Sequence, residues 1–211
     1  MLVSHKTFSI EATKATQVFV RYSSCMKSLA IKLSKVCHDL RLLASSPRSG
    51  FSEINLPAKQ PGSSIMPGKV NPVIPEVVNQ VCFRVIGSDL TVSMAADAGQ
   101  RQLKVFEPVI AACLFEAQTL FVNAARTLRV HCVEGMTANP AICRHHVADR
   151  FGTVTALNPV IGYDRSTALA REAMRNGRSI LELIREQWVA SRDQIDRVLD
   201  PAALTGQGRP A

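Results

Sequence analysis

Aromatic side chains are scarce in this sequence, 5% of 211 residues. Sheets lean on aromatic and β-branched residues to fill their faces, so the core must be aliphatic and the expected fold is all-α. The six cysteines (Cys25, Cys37, Cys82, Cys113, Cys132, Cys143) include no Cys-x-x-Cys pair and no zinc-finger spacing, which leaves no metal site to expect. Most fall in apolar helical stretches, where a thiol acts as a small hydrophobe, and a reducing, cytoplasmic setting is expected. The net charge of +8 comes without a Lys/Arg run or interleaved aromatics. A nucleic-acid partner is therefore not expected, whereas an anionic metabolite is compatible with the charge. Residues 1–10 lack the apolar centre of a signal peptide, and no apolar run is expected to reach the ~18 residues of a membrane span. A soluble chain with no membrane partner is the expectation. At 46% apolar and 20% charged residues, the composition is globular.

Proline and glycine are also missing from residues 11–43. Apolar residues recur there at Ala15, Val18, Phe19, Tyr22, Met26, Leu29, Leu33, Val36 and Leu40. Steps of three and four predict one face of a long helix. Its length, ~1.5 Å per residue, suggests a bundle shared between subunits. Pro75 is placed to open a second helix whose core positions are Val77, Val78, Val81, Cys82, Val85, Ile86 and Leu90. Gly99 is expected to bend or end it. Pro108 opens a third through Ile110, Leu114, Phe115, Ala117, Leu120, Phe121, Ala124 and Leu128. Residues 1–135 thus read as part of a helical bundle, and residues 136–211 as a small C-terminal helical domain. In the latter, Asn139-Pro140, residues 158–162 and Asn176-Gly177 are expected connectors. Ser191 and Gln194 form the pattern of a capping box opening a last short helix.

Between the first two helices, residues 45–72 hold Pro47, Gly50, Pro57, Pro61, Gly62, Pro67, Gly68 and Pro72, so this stretch is loop. Long loops inside compact domains are more often functional than not. Gly62 permits close backbone approach, Ser63 and Ser64 offer hydroxyls, Lys69 a charge and Asn71 an amide; these are parts suited to a carboxylate. Prolines bracketing Ile65 and Met66, Pro67 among them, stiffen the stretch, which suggests that its geometry matters to function. From composition alone, a bland Ser/Gly/Pro turn fits equally well.

The eleven residues Gly62-Ser63-Ser64-Ile65-Met66-Pro67-Gly68-Lys69-Val70-Asn71-Pro72 resemble the signature of the fumarase/aspartase superfamily without a mismatch. The flanks at 39–43, 53–57 and 73–81 resemble the aspartase-like branch. Class II fumarases match the signature equally but usually carry an acidic residue where Gln60 stands. The resemblance implies elimination beside a carboxylate. In the aspartase-like case L-aspartate gives fumarate and ammonia, with no metal or organic cofactor. It implies Ser63 as the base removing the Cβ proton, with Ser64, Lys69, Val70 and Asn71 holding the substrate and its aci-carboxylate. Gly62, Pro67 and Gly68 would shape the loop. It also implies a homotetramer whose sites combine three sequence regions from three subunits.

Two of those regions, a Thr/Ser/Asn-rich stretch and a His-Pro-Asn-Asp-type stretch, have no counterpart in this sequence, which suggests partial coverage of the family architecture. Arg101 and Lys104 also stand in a run where relatives have Leu and Asn. Three functional readings follow: an aspartase-like lyase subunit, a class II fumarate hydratase, or a catalytically silent chain that only assembles. His145-His146, His38, His131 and His5 are read as surface or partly buried residues, and Glu76 and Glu107 as helix-start carboxylates.

Overall fold

The computed structural model describes residues 15–46, 49–62, 65, 68, 70–101, 103–149, 152–187, 191–198 and 200. The chain divides into two compact units, Met1–Ala138 and Asn139–Ala211. The first unit holds α1 (Gln17–Leu43), β1 (Ile54–Asn55), α2 (Val73–Asp97), α3 (Glu107–His131), a 3₁₀ turn (Val133–Gly135) and β2 (Thr137–Ala138). The second holds α4 (Pro140–Asp149), α5 (Gly152–Ile161), α6 (Tyr163–Asn176), α7 (Ile180–Glu186) and α8 (Arg192–Val198). The fold is all-α apart from the two-residue β1–β2 pair.

Helix α2 is the middle of the first unit, packed between α1 and α3. Its buried positions, Pro75, Val78, Asn79, Cys82, Val85, Ser88, Asp89, Val92 and Ala95, follow the three-and-four step of a helix face. Those of α1 are small: Ser23, Ala30, Ser34 and Cys37. Small residues let the two backbones approach, while Met26, Leu33 and Leu40 pack from the sides. The apolar stripe expected on α1 is therefore only partly the core. Val18 is 75% exposed, and Phe19, Tyr22, Leu29 and Val36 also face outward. Leu90 on α2 (63%) and Phe115 on α3 (68%) behave likewise. These helices have a second apolar face, and periodicity could not say which face meets the neighbours within this chain.

The region Glu107–Gly135 contains an 18-residue window of mean hydropathy 1.4, long and apolar enough to cross a membrane by length and composition. This corrects the expectation that no run reaches that size: Ala, Val and Leu keep the mean high despite Glu116. Here the segment is a bundle helix that buries Ile110, Leu114, Ala117, Ala124 and Leu128.

Two polar sites interrupt the α1–α2 seam. Asn79, 2% exposed, donates to the Ser34 carbonyl at 3.0 Å and to Ser34 Oγ at 2.9 Å. Asp89, 4% exposed, accepts from Lys27 Nζ at 2.5 Å and from Ser24 Oγ at 3.4 Å. All six cysteines are free thiols. Cys37, Cys82 and Cys132 lie in one core cluster. Burial, reinforced by Cys82 and Cys132, pushes the Cys37 thiol up to about 12, so it stays neutral and behaves as a hydrophobe.

The second unit closes around Val154, Leu157, Leu169, Ala173, Ile180, Leu183, Ile184 and Ile195. Ser191 N donates to Gln194 Oε1 at 3.0 Å and Gln194 N to Ser191 Oγ at 3.3 Å, completing the expected capping box. Gly177, at φ 62°, ends α6 in the left-handed conformation glycine favours. One expected connector is different. Residues 158–161 form the last turn of α5, with Pro159 inside the helix, and the break falls at Gly162, whose φ is 83°. Proline near a helix C-terminus forfeits one backbone bond and is tolerated there when the remaining turn closes, here through Gly162 N to Asn158 O at 2.9 Å.

Candidate active site

The loop begins where α1 stops. Ser45 Oγ donates back to the Leu42 carbonyl at 2.5 Å and accepts from Phe51 N at 3.0 Å. Ser52 N reaches Ser45 O at 3.0 Å and Glu53 N reaches Leu43 O at 2.9 Å. Gly50 is required in this tight return, because a Cβ there would stand 2.5 Å from Ser45 Oγ. The chain then pairs as β1 with β2, Ile54 opposite Ala138 and Asn55 opposite Thr137. Asn55 Nδ2 donates to Thr137 Oγ1 at 3.2 Å, and Pro57 packs so closely on Gly135 that a Cβ there would meet its Cγ at 2.7 Å. Neither contact was legible in the sequence, since each joins residues about eighty positions apart.

An antiparallel bridge between Pro61 and Val70 then brings the two limbs of the signature stretch together. Ser63, Ser64, Met66, Pro67 and Lys69 lie outside the described residues. The described ones are half-buried or exposed. Gly62 and Asn71 are half-buried, Gly68 and Val70 are exposed, and Ile65 is 86% exposed. Gly68 has φ 78°, with open space where a Cβ would be. Replacing it with alanine is expected to cost this loop conformation ~1–2 kcal/mol through backbone strain alone. Amide exchange at Val73, whose N–H is held by the Asn71 carbonyl on the downstream limb, should accelerate about tenfold while the melting temperature of the unit stays unchanged. The downstream limb enters α2 through a tight turn, Val73 N donating to Asn71 O at 2.9 Å.

Beneath the bridge is a cleft of about 230 Å³. Asn71, Val70 and Pro72 line one side; Ser52, Asn55, Leu56 and Pro57 line the other. Its walls are mixed polar and apolar, and Val70 and Asn71 are the described predicted substrate-binding residues that line it. Among the described residues no group of three or more His, Cys, Asp or Glu side chains is placed to hold a metal ion. His145 and His146 have ring centroids 6.2 Å apart, while His38 and His131 are exposed.

Sequence reasoning missed the polar cluster at the root of the loop. Arg41, on the last turn of α1, lies 3.6 Å from Glu76 on the first turn of α2. Its NH1 approaches Asn79 Oδ1 at 3.5 Å. Glu76 therefore has a cationic neighbour besides the helix dipole. The spacing of Arg41 and Glu76 in the chain carries no sign of this, because the intervening loop sets it.

Residues 2–87 match a family profile described as Lyase, and residues 154–206 match one described as Fumarase C C-terminus. An aspartate ammonia-lyase of Helicobacter pylori is 56% identical over 192 residues, covering 91% of this chain and 41% of that protein. A crystal structure of a fumarate lyase:delta crystallin from Brucella melitensis bound to cobalt has a TM-score of 0.86 at 45% identity, covering 96% of this chain and 44% of that one. A recombinant class II fumarase from Schistosoma mansoni superposes with a TM-score of 0.87 at 33% identity, covering 96% of this chain and 42% of that one. The chain thus spans about two fifths of the length of these relatives. With the unbroken signature, the helical fold and these matches in both units, the chain belongs to the fumarase/aspartase superfamily.

Proposed function

We propose that this chain supplies the serine-bearing loop of an aspartate ammonia-lyase-type site, which eliminates ammonia from L-aspartate to release fumarate. The observation that carries the reading is the unbroken signature sequence itself, supported by the Pro61–Val70 bridge, the exposed Ile65, Gly68 and Val70, and Asn71 on the wall of a cleft. Ser63 removes the Cβ proton and the carbanion is held as an aci-carboxylate. A serine hydroxyl is a weak base, so positive potential and hydrogen-bond donors must lower its pKa. The same donors stabilise the dianion, each worth ~3 kcal/mol. Lys69, Asn71, Ser64 and the Val70 backbone are the groups assigned to that task, and the route needs neither metal nor organic cofactor. The partner is then a small dicarboxylate, and the assembly a homotetramer in the cytoplasm. The large apolar residues left exposed on α1, α2 and α3 support association.

Class II fumarate hydratase is the alternative within the same chemistry. The higher identity to aspartate ammonia-lyases favours ammonia as the leaving group. The third reading, a chain that assembles without catalysing, draws on the same large apolar residues exposed on α1, α2 and α3. One assay separates all three. The chain is given L-aspartate or L-malate, alone and mixed with a polypeptide spanning the remaining length of that relative, and fumarate is followed by its ultraviolet absorbance. Fumarate from aspartate is expected. Turnover of malate alone would replace the reading with the hydratase, and a folded, associated but inactive mixture with the silent assembly.

A further inference from the structure

We infer that Arg41 is a positioning residue that ties the root of the signature loop together. This rests on the reading of that loop as the catalytic segment. Arg41 is two residues before α1 ends at Leu43, and Glu76 and Asn79 lie on the first turns of α2, just after Asn71 and Pro72. One guanidinium therefore spans both ends of the loop, 3.6 Å from the Glu76 carboxylate and 3.5 Å from the Asn79 amide oxygen. Asn79 is itself immobilised, because its Nδ2 is held by both the carbonyl and the hydroxyl of Ser34 on α1. The cluster thus sets where the first turn of α2, and with it Asn71, stands against the end of α1.

Arg41 suits this task better than lysine would, since its two terminal nitrogens face different groups at once, NH2 the Glu76 carboxylate and NH1 the Asn79 amide oxygen. The pair with Glu76 is part-exposed, and such pairs contribute little to global stability. The long apolar seam between α1 and α2 holds the helices together regardless. What Arg41 controls is local: the separation of the two limbs that carry the cleft. Displacement of a binding group by ~1 Å can cost about a hundredfold in rate.

The test reads the loop without relying on turnover, so its failure is distinct from failure of the proposed function. Arg41→Gln and Glu76→Gln are compared with the parent by amide hydrogen exchange. Amides that anchor the two limbs, Glu53 N on Leu43 O and Val73 N on Asn71 O, are expected to exchange about tenfold faster in each variant. Amides in the middle of α1 and α2 should be unchanged. The charge-swapped double variant Arg41→Glu with Glu76→Arg should recover most of the protection. Unchanged exchange at Glu53 and Val73 would overturn the inference. So would acceleration spread evenly over α1 and α2, or absence of recovery in a folded double variant.

Discussion

Replacing Ser63 with alanine is expected to lower kcat for fumarate release by ~10²–10⁴-fold, the range a positioned general base contributes. The measurement uses the complemented assembly, in which all parts of the site are supplied. The Cβ hydrogen of an amino acid dicarboxylate is a very weak acid, and solvent does not supply a base held against it in matched orientation. Alanine leaves the donors that hold the dianion in place, so KM should change far less than kcat. Wash-out of deuterium from the Cβ of labelled aspartate should fall together with turnover. A variant that keeps turnover within tenfold of the parent would remove Ser63 from the base role.

The second large effect concerns the buried pair in the α1–α2 seam. Asp89→Ala is expected to destabilise the first unit by ~2–3 kcal/mol, near the lower end for breaking a buried ion pair. The lower end applies because Lys27 retains 39% of its side-chain exposure and can turn toward water once its partner is gone. Ser24 also loses its acceptor. Burial by itself would raise the Asp89 carboxyl, but hydrogen bonds from Lys27, Ser23 and Ser24 outweigh it and hold the group below its ordinary value of 3.8. A depressed carboxyl binds its proton more weakly folded than unfolded. Its contribution is therefore complete above pH ~4 and disappears as pH falls through the lower folded value. Urea unfolding at pH 7 and again near pH 3 tests both statements. The gap between parent and Asp89→Ala should be wide at pH 7 and should narrow in acid.

Neither Asp89 nor Lys27 drew attention in the sequence. Lys27 sits on α1 and Asp89 on α2, and a charged residue inside a helix pattern usually marks a solvated face. The contact between Arg41 and Glu76 was likewise hidden, although Glu76 reads from the sequence as a helix-start carboxylate. By contrast, the capping box of Ser191 and Gln194 was legible because its partners are three residues apart and their chemistry is local. The left-handed turn at Gly177 and the end of α2 before Gly99 were legible for the same reason. Residues 158–162 were misread as a connector because a proline weighs heavily in any local reading, while the packing of Leu157 in the second core kept the helix going for another turn. The signature stretch was recognisable from its eleven consecutive residues, although their geometry could not be read from the string.

The sequence alone determined the helical class, the number and order of the long bundle helices, the local caps, and the family through its signature. All of these depend on residues within a few positions of one another, where backbone sterics, periodicity and turn chemistry act. Tertiary structure decided which faces of α1, α2 and α3 meet, and that small residues rather than the large apolar stripe line the α1–α2 contact. It also decided that Arg41 reaches Glu76, that Lys27 reaches Asp89, and that β1 pairs with β2 beneath the loop. Those contacts join residues tens of positions apart. Their energies come from burial and desolvation, which have no value until the chain has closed around them.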